Sequence, residues 1–253
     1  MDLENLRQKI DACDEEIIRL LNERMAVVKR IGEAKNRSGG EIYVPAREKK
    51  VFERIAEKNT GPMPDGALRA VYREIMSAAL ALERGVRVAY LGPPATFTHQ
   101  AARAKFGVSV RTRDCETIGD VFDAVERRAA DYGVVPIENS TEGAVTHTLD
   151  QFMSSRVMIA AEVYLSISLN LLARCGKADI RRAYSKQEVF GQCRLWLRNS
   201  LPGVELVPVS STAKAAELAA KEDGAAALAS NLAAELYGLD LVEESIQDLA
   251  GNT

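Results

Sequence analysis

LLNERMAVVKRIGEAK, residues 20–35, decides how the first part of this chain folds. Read with the residues before it, apolar side chains advance by threes and fours: Leu3, Leu6, Ile10, Cys13, Ile17, Leu20, then position 24, then Val27, Ile31 and Ala34. That spacing lays them along one face of a helix. Position 24, in the middle of the face, is an arginine. A guanidinium buried in an apolar seam costs several kcal/mol unless an anion meets it.

Working outward, the spacing predicts a first helix from about Asp2 to about Asn36, stopped by Asn36, Ser38, Gly39 and Gly40. Such a helix is roughly 50 Å long and needs a partner along its whole seam. A second helix starts at Pro45, a favoured first-turn residue, and runs to about Lys58 with Val51, Phe52 and Ile55 as its seam. A third runs from about Asp65 to Glu83 with Leu68, Val71, Ile75, Ala78 and Leu82 in step, ending at Gly85. Two short helices do not cover one very long one. A dimer in which long helices pair is the economical solution.

The period changes after Gly85. VRVAYLG, VSVRT, YGVVPI, VMIAAEVYL, SLNLLA, VELVPV, GAAALAS and LDLVEE are short strand-like runs. Helical stretches separate several of them: HQAARAKF, VFDAVERRAA, VTHTLDQFM, EVFGQCRLWLRN, TAKAAELAAKE and NLAAELY. The alternation predicts α/β layers on a largely parallel sheet. Residues 1–85 and 86–253 are therefore expected as separate domains.

Composition narrows the chemistry. The chain has 253 residues, 47% of them hydrophobic and 27% charged, with a net charge of −3. Nothing in that balance attracts nucleic acid or an anionic membrane, so an anionic ligand needs local groups. The charged N-terminus is no secretory signal, and no apolar run spans a bilayer. Four scattered cysteines, with no CxxC pair and no metal spacing, read as reduced cytoplasmic thiols. With only His99 and His147 present, a zinc site or a Ser/His/Asp triad is not expected.

On the helical half, Arg7, Arg24 and Lys35 flank or interrupt the seam, Arg47 and Glu48 open the second helix, and Glu83 closes the third. Two readings stand open. Arg24 pairs with an acid such as Glu48 or Glu23 while the other cations stay solvated, or the set together holds a small anion rich in oxygen.

LRQKIDACDEEIIRLLNERMAVVKRIGEAK, VPAREKKVFERI and YREIMSAALALE resemble, in this order, an all-helical chorismate mutase domain, covering nearly all of residues 1–85. The resemblance implies a three-helix chain intertwined with a second copy as a homodimer, and the rearrangement of chorismate to prephenate without metal or cofactor. It implies that Arg24, with Arg7 from the other subunit, clamps the substrate carboxylates, which guanidinium suits by its fork of donors. Lys35 is implied as donor to the ether oxygen, Glu48 as acceptor from the ring hydroxyl, and Arg47 as support. Two positions depart from one version of the motif: Glu83 replaces a glutamine beside the ether oxygen, and Ala79 a serine one turn earlier. A carboxyl group donates only when protonated. Mutase activity is therefore expected to fall as rising pH takes that proton, and Glu83→Gln to flatten the profile.

In the second half, loops at strand ends are rich in hydroxyls: PPATFTHQ, NSTEGAVTH, SSTAK and the segment at Ser185. Such groups at helix starts either bind anions or serve as plain N-caps. YLGPPATFTHQAA, GVVPIENSTEGAV, YSKQEVFGQCRLWL, STAKAAELA, GAAALASNLAAELYGL and IQDLAGNT resemble prephenate dehydratase over residues 88–253. Joined to a mutase, the pattern is similar to the bifunctional enzyme of phenylalanine synthesis, in which prephenate loses carbon dioxide and water to give phenylpyruvate.

That resemblance implies two lobes, about 86–165 with 246–253 and about 166–245, similar to periplasmic binding proteins. It implies cleft residues Thr96, Glu138, Asn139, Ser140, Ser185, Gln192 and Thr253, with Thr253 as hydroxyl donor and Asn139 and Gln192 as further catalytic residues. His99 and His147 read as helix-start residues. Ala95 stands where the family usually has glycine, and SKQEVFGQC differs after its serine. In the family, arginine, phenylalanine and commonly a phenylalanine-binding regulatory domain follow the GNT segment. A polypeptide ending at Thr253 is therefore expected to keep mutase activity, to have weak or no dehydratase activity and to ignore phenylalanine. The alternative is a mutase whose α/β half only binds a small molecule.

Overall fold

The computed structural model describes residues 2–38, 45–83, 85–140, 143–249 and 251. It divides into two compact units, Met1–Arg87 with Phe106–Arg111, and Val88–Lys105 with Thr112–Thr253. The first carries α1 (Leu3–Ser38), α2 (Pro45–Lys58) and α3 (Asp65–Glu83). At 36 residues, α1 is about 54 Å long.

The seam of α1 faces outward in a single chain. Leu3, Leu6, Ile10, Ile17, Leu20, Val27 and Ile31 are each between 42% and 61% exposed. Among the described residues, α3 covers the C-terminal half of α1. Val28 and Gly32 are buried there, and a Cβ on Gly32 would sit 3.2 Å from the Glu83 backbone. On α3 the buried positions are Ser77 and Ala79, while Val71 and Leu82 of the expected seam are exposed. Phe52 of α2 is buried under the Arg69 guanidinium, 4.4 Å from its ring centre.

The segment Phe106–Arg111 joins this unit by backbone donors. Val108 N–H reaches Glu74 Oε2 at 3.2 Å, and Ser109 N–H reaches the buried Ser77 Oγ at 3.0 Å. Gly107 makes the approach with φ at +77°, and a Cβ there would lie 2.4 Å from Ser77 Cβ. Only glycine fits both demands.

The second unit begins with β1 (Arg87–Leu91), α4 (Phe97–Phe106), β2 (Arg111–Cys115), α5 (Ile118–Glu126) and β3 (Tyr132–Val134). The sheet order is β2-β1-β3, with β1 and β3 parallel. The β2 strand is RTRDC, three residues later than the expected VSVRT. The apolar part of VSVRT is spent on the turn that meets α3, and the sheet edge is left to polar residues. A hairpin of β4 (Glu138–Asn139) and β5 (Gly143–Ala144) follows, then α6 (Thr146–Ser154).

The expected strand VMIAAEVYL forms no ladder among the described residues. Met158, Ile159 and Tyr164 are 68–86% exposed. Strand propensity alone does not make a strand where no partner supplies the other half of each hydrogen bond.

The remaining elements are β6 (Asn170–Ala173), β7 (Arg182–Ser185), α7 (Gln187–Gln192), α8 (Arg194–Ser200), β8 (Glu205–Pro208), α9 (Thr212–Ala219), β9 (Ala225–Ala229), α10 (Asn231–Tyr237) and β10 (Asp240–Glu243). Their sheet has the order β10-β6-β9-β7-β8. β7 runs parallel to β8 and β9, while β6 is antiparallel to β9 and β10, so this sheet is mixed rather than largely parallel. The reversal occurs where the chain enters on β6 and leaves on β10. There Ile246 N–H donates to Leu169 O at 2.8 Å, binding the entering and leaving segments together. At the sheet centre, AAALA of β9 is wholly buried, and Ala213, Ala215, Ala216 and Ala219 of α9 pack against it. Small side chains on both surfaces let helix and sheet approach closely.

Candidate active sites

The candidate residues fall in two groups, one in each unit. In the helical unit, Lys35 Nζ lies 3.3 Å from Glu83 Oε2, joining the end of α1 to the end of α3. Both groups are substantially shielded, with side chains 30% and 11% exposed. Arg24 precedes Lys35 by eleven residues, three helical turns, and so shares its face. One Arg24 guanidinium nitrogen, Nη1, is buried and has no hydrogen-bond partner among the described residues. Neither Glu48 nor Glu23 satisfies it. Glu23 instead accepts from Arg19 at 3.0 Å.

Glu48 is half-buried in the first turn of α2, and its neighbour Arg47 is exposed. Arg7 is 65% exposed and lies 3.9 Å from Glu4. It precedes Arg24 by seventeen residues, or about 26 Å of helix. One chain cannot close Arg7 and Arg24 on the same small molecule.

In the α/β unit, the Gly92–Thr96 loop links β1 to α4. Thr96 Oγ1 donates to Leu91 O at 3.1 Å and accepts from His99 N–H at 3.3 Å, so it is an N-cap. Ala95 is fully buried with φ at +71°, a left-handed conformation that costs a residue with a Cβ about 1–2 kcal/mol. Its N–H donates to His99 Nδ1 at 3.1 Å, and its carbonyl accepts from Ser230 Oγ at 3.4 Å. His99 stacks on Tyr90 with ring centres 4.5 Å apart and planes within 9°. Burial holds the His99 imidazole below its ordinary pKa and Arg103 adds to this, while Asp114 and Glu235 pull it back up. Burial also pushes the Tyr90 phenol up to about 12.

Ser185 ends β7. It is fully buried and its hydroxyl donates to Leu228 O at 2.7 Å, tying β7 to β9. Gln192 is half-buried at the end of α7, where its carbonyl accepts from Asp248 N–H at 2.7 Å. Glu138 and Asn139 form β4, with Ser140 at the turn that follows. Thr253 lies outside the described residues. In the SSTAK loop, Ser211 is an N-cap that accepts from Lys214 N–H at 3.0 Å. His147 is exposed in the first turn of α6. Sequence reasoning missed Ser230 as a partner of the Gly92–Thr96 loop. Its signal was faint: a serine between a strand and a helix, the position of an N-cap.

A family model for type II chorismate mutase matches residues 6–84, and one for prephenate dehydratase matches residues 88–253. A bifunctional chorismate mutase/prephenate dehydratase of Aquifex aeolicus is 48% identical over 256 residues, covering 99% of this chain and 71% of its own length. The chain belongs to the bifunctional chorismate mutase/prephenate dehydratases.

The Neisseria gonorrhoeae member of that family is 46% identical, over 98% of this chain and 69% of its own length. The crystal structure of prephenate dehydratase from Arthrobacter aurescens in complex with L-Phe is 34% identical, with a TM-score of 0.60, over 66% of this chain and 58% of that one. The bifunctional chorismate mutase/prephenate dehydratase activities are two consecutive steps of phenylalanine biosynthesis. Chorismate rearranges to prephenate, and prephenate then loses carbon dioxide and water to give phenylpyruvate. Among the described residues, no helix is long and apolar enough to cross a membrane.

Proposed function

We propose that two copies of this chain pair along α1 and that each mutase site is closed by both. Arg24 Nη1 carries the reading: it is buried with no hydrogen-bond partner among the described residues, and a buried cationic donor of this kind suits an anion. Arg24 from one chain and Arg7 from the other clamp the two carboxylates of chorismate. The exposed seam from Leu3 to Ile31 is the surface the second copy covers.

The rearrangement is intramolecular. It needs a compact substrate shape and stabilisation of charge at the breaking ether bond. Lys35 donates to the ether oxygen, with Glu83 beside it. Their mutual contact supports a shared target. Glu48 accepts from the ring hydroxyl, and Arg47 supports the pocket rim.

In the dehydratase half, two lobes, about 86–165 with 246–253 and about 166–245, face each other across a cleft. The two separate sheets support this division. Thr96, Glu138, Ser140 and Ser185 bind prephenate, with Ser185 acting from the β7 end as an acceptor because its proton is committed to Leu228. Thr253, Asn139 and Gln192 carry the elimination. The C–C bond to the leaving carboxylate breaks, its electrons aromatise the ring, and the departing hydroxyl takes a proton from Thr253 and leaves as water. The enzyme works in the cytoplasm. Its four free cysteines, two of them buried, suit a reducing compartment.

The test follows chorismate loss and phenylpyruvate appearance together, alongside sedimentation across protein concentration. Leu20→Glu in the exposed seam is expected to give monomers without mutase turnover. A monomeric chain that still rearranges chorismate refutes the shared site.

A further inference from the structure

We infer that His99 is a positioning residue for the dehydratase reaction, holding the Gly92–Thr96 loop in its binding shape by accepting the Ala95 N–H. The inference rests on the proposed role of that loop in binding prephenate. Three observations carry it.

Ala95 adopts a left-handed conformation that glycine takes freely and alanine does not. Something must therefore hold it there. The peptide groups of Ala95 are gripped from two sides: His99 Nδ1 takes the N–H, and Ser230 Oγ donates to the carbonyl. His99 is itself fixed by stacking on Tyr90, and its own N–H is bound to Thr96 Oγ1. One histidine thus fixes both Ala95 and the neighbouring Thr96.

The grip requires the neutral ring. Nδ1 accepts only when the proton sits on Nε2, because an imidazolium has two donors and no acceptor. The charged and titratable groups facing the ring are Arg103 on α4, Asp114 on β2, Glu235 on α10 and the Tyr90 phenol on β1. Arg103 and Glu235 are themselves paired at 3.1 Å. Burial and Arg103 outweigh the two carboxylates, so the ring stays neutral at physiological pH. Acid converts the acceptor to a donor and releases Ala95.

The experiment uses the whole chain, with prephenate as the probe and mutase turnover as the folding control. His99→Leu is expected to raise the KM for prephenate about tenfold, the equivalent of one lost buried hydrogen bond, and to leave chorismate turnover unchanged. His99→Asn keeps an acceptor that does not titrate. It is expected to preserve the neutral-pH KM and to lose the acid-side rise in KM. In an Ala95→Gly background the His99→Leu effect is expected to shrink severalfold, because glycine needs no clamp. An equal effect in both backgrounds would mean that His99 is merely structural, and overturns the inference. Amide exchange at Ala95 gives a readout independent of turnover: protection is expected to disappear in His99→Leu and, in the wild type, on acidification. Unchanged protection overturns the clamp. A wild-type chain that neither binds nor converts prephenate overturns the reading of the loop instead, and Ala95 exchange then decides the clamp alone.

Discussion

Replacing Arg24 by methionine separates what the side chain does for folding from what it does for catalysis. Methionine keeps an apolar stem of similar length and removes the guanidinium. Arg24 Nη1 is buried without a hydrogen-bond partner among the described residues. A buried unsatisfied donor costs about 1–3 kcal/mol, and more when it is charged. Arg24→Met is therefore expected to stabilise the unliganded fold by about 1–2 kcal/mol, as replacing buried ionic groups with apolar ones often does. In the proposed mutase site the same guanidinium makes two charge-assisted hydrogen bonds to chorismate, each worth about 1.5–3 kcal/mol. Losing both lowers kcat/KM by roughly a hundredfold to ten-thousandfold. Urea unfolding at one fixed protein concentration reads the first effect, because the stability of the proposed dimer depends on concentration. The decrease of chorismate absorbance reads the second. A variant that is less stable by more than about 1 kcal/mol, or that keeps turnover within tenfold of wild type, refutes the reasoning, since Arg24 would then have a structural partner.

Other perturbations probe other parts of the argument. Glu83→Gln keeps a side-chain hydrogen-bond donor beside Lys35 and is expected to retain mutase turnover, whereas Glu83→Ala is expected to lose it; equal loss in both variants sinks the role given to Glu83. Gly107→Ala places a Cβ 2.4 Å from Ser77 Cβ in a left-handed backbone, and is expected to lower stability by more than about 1–2 kcal/mol in thermal or urea unfolding. His99 gives a signed pH effect on stability. Its pKa is depressed in the folded state, so the unfolded chain binds the proton more readily. Its contribution is present above the unfolded value of about 6.5 and is lost as pH falls below it. Urea midpoints of wild type are expected to drop between neutral and mildly acid pH, and those of His99→Asn to drop less.

The helical half was legible because one long period carries most of its information. The three helices match their expected bounds to within two residues. The α/β half was legible where burial and pattern agree, as in the buried alanine strand β9. It was misread where they part. RRAYS gave no strand signal, yet β7 sits between β8 and β9 and is held by backbone pairing on both sides. VMIAAEVYL gave a strong one but meets no ladder partner among the described residues. Composition could nominate Ser185 and Thr96 as polar groups near a ligand, but not where their protons go. Both donate to backbone carbonyls, Leu228 O and Leu91 O, and such partners leave no trace in side-chain sequence. Lys35 and Glu83, separated by most of the helical unit, were nominated together and lie in contact.

The seventeen residues between Arg7 and Arg24 have a quantitative consequence for the cell. If a mutase site needs both arginines and one chain cannot supply both, mutase output rises with the square of chain concentration while copies are scarce, whereas an α/β site drawn from one chain rises in proportion. The ratio of the two outputs then reports how much enzyme is present. At low dosage prephenate supply falls behind its consumption, and once the copies are paired both outputs rise in proportion, although both catalysts are made from the same message in equal number.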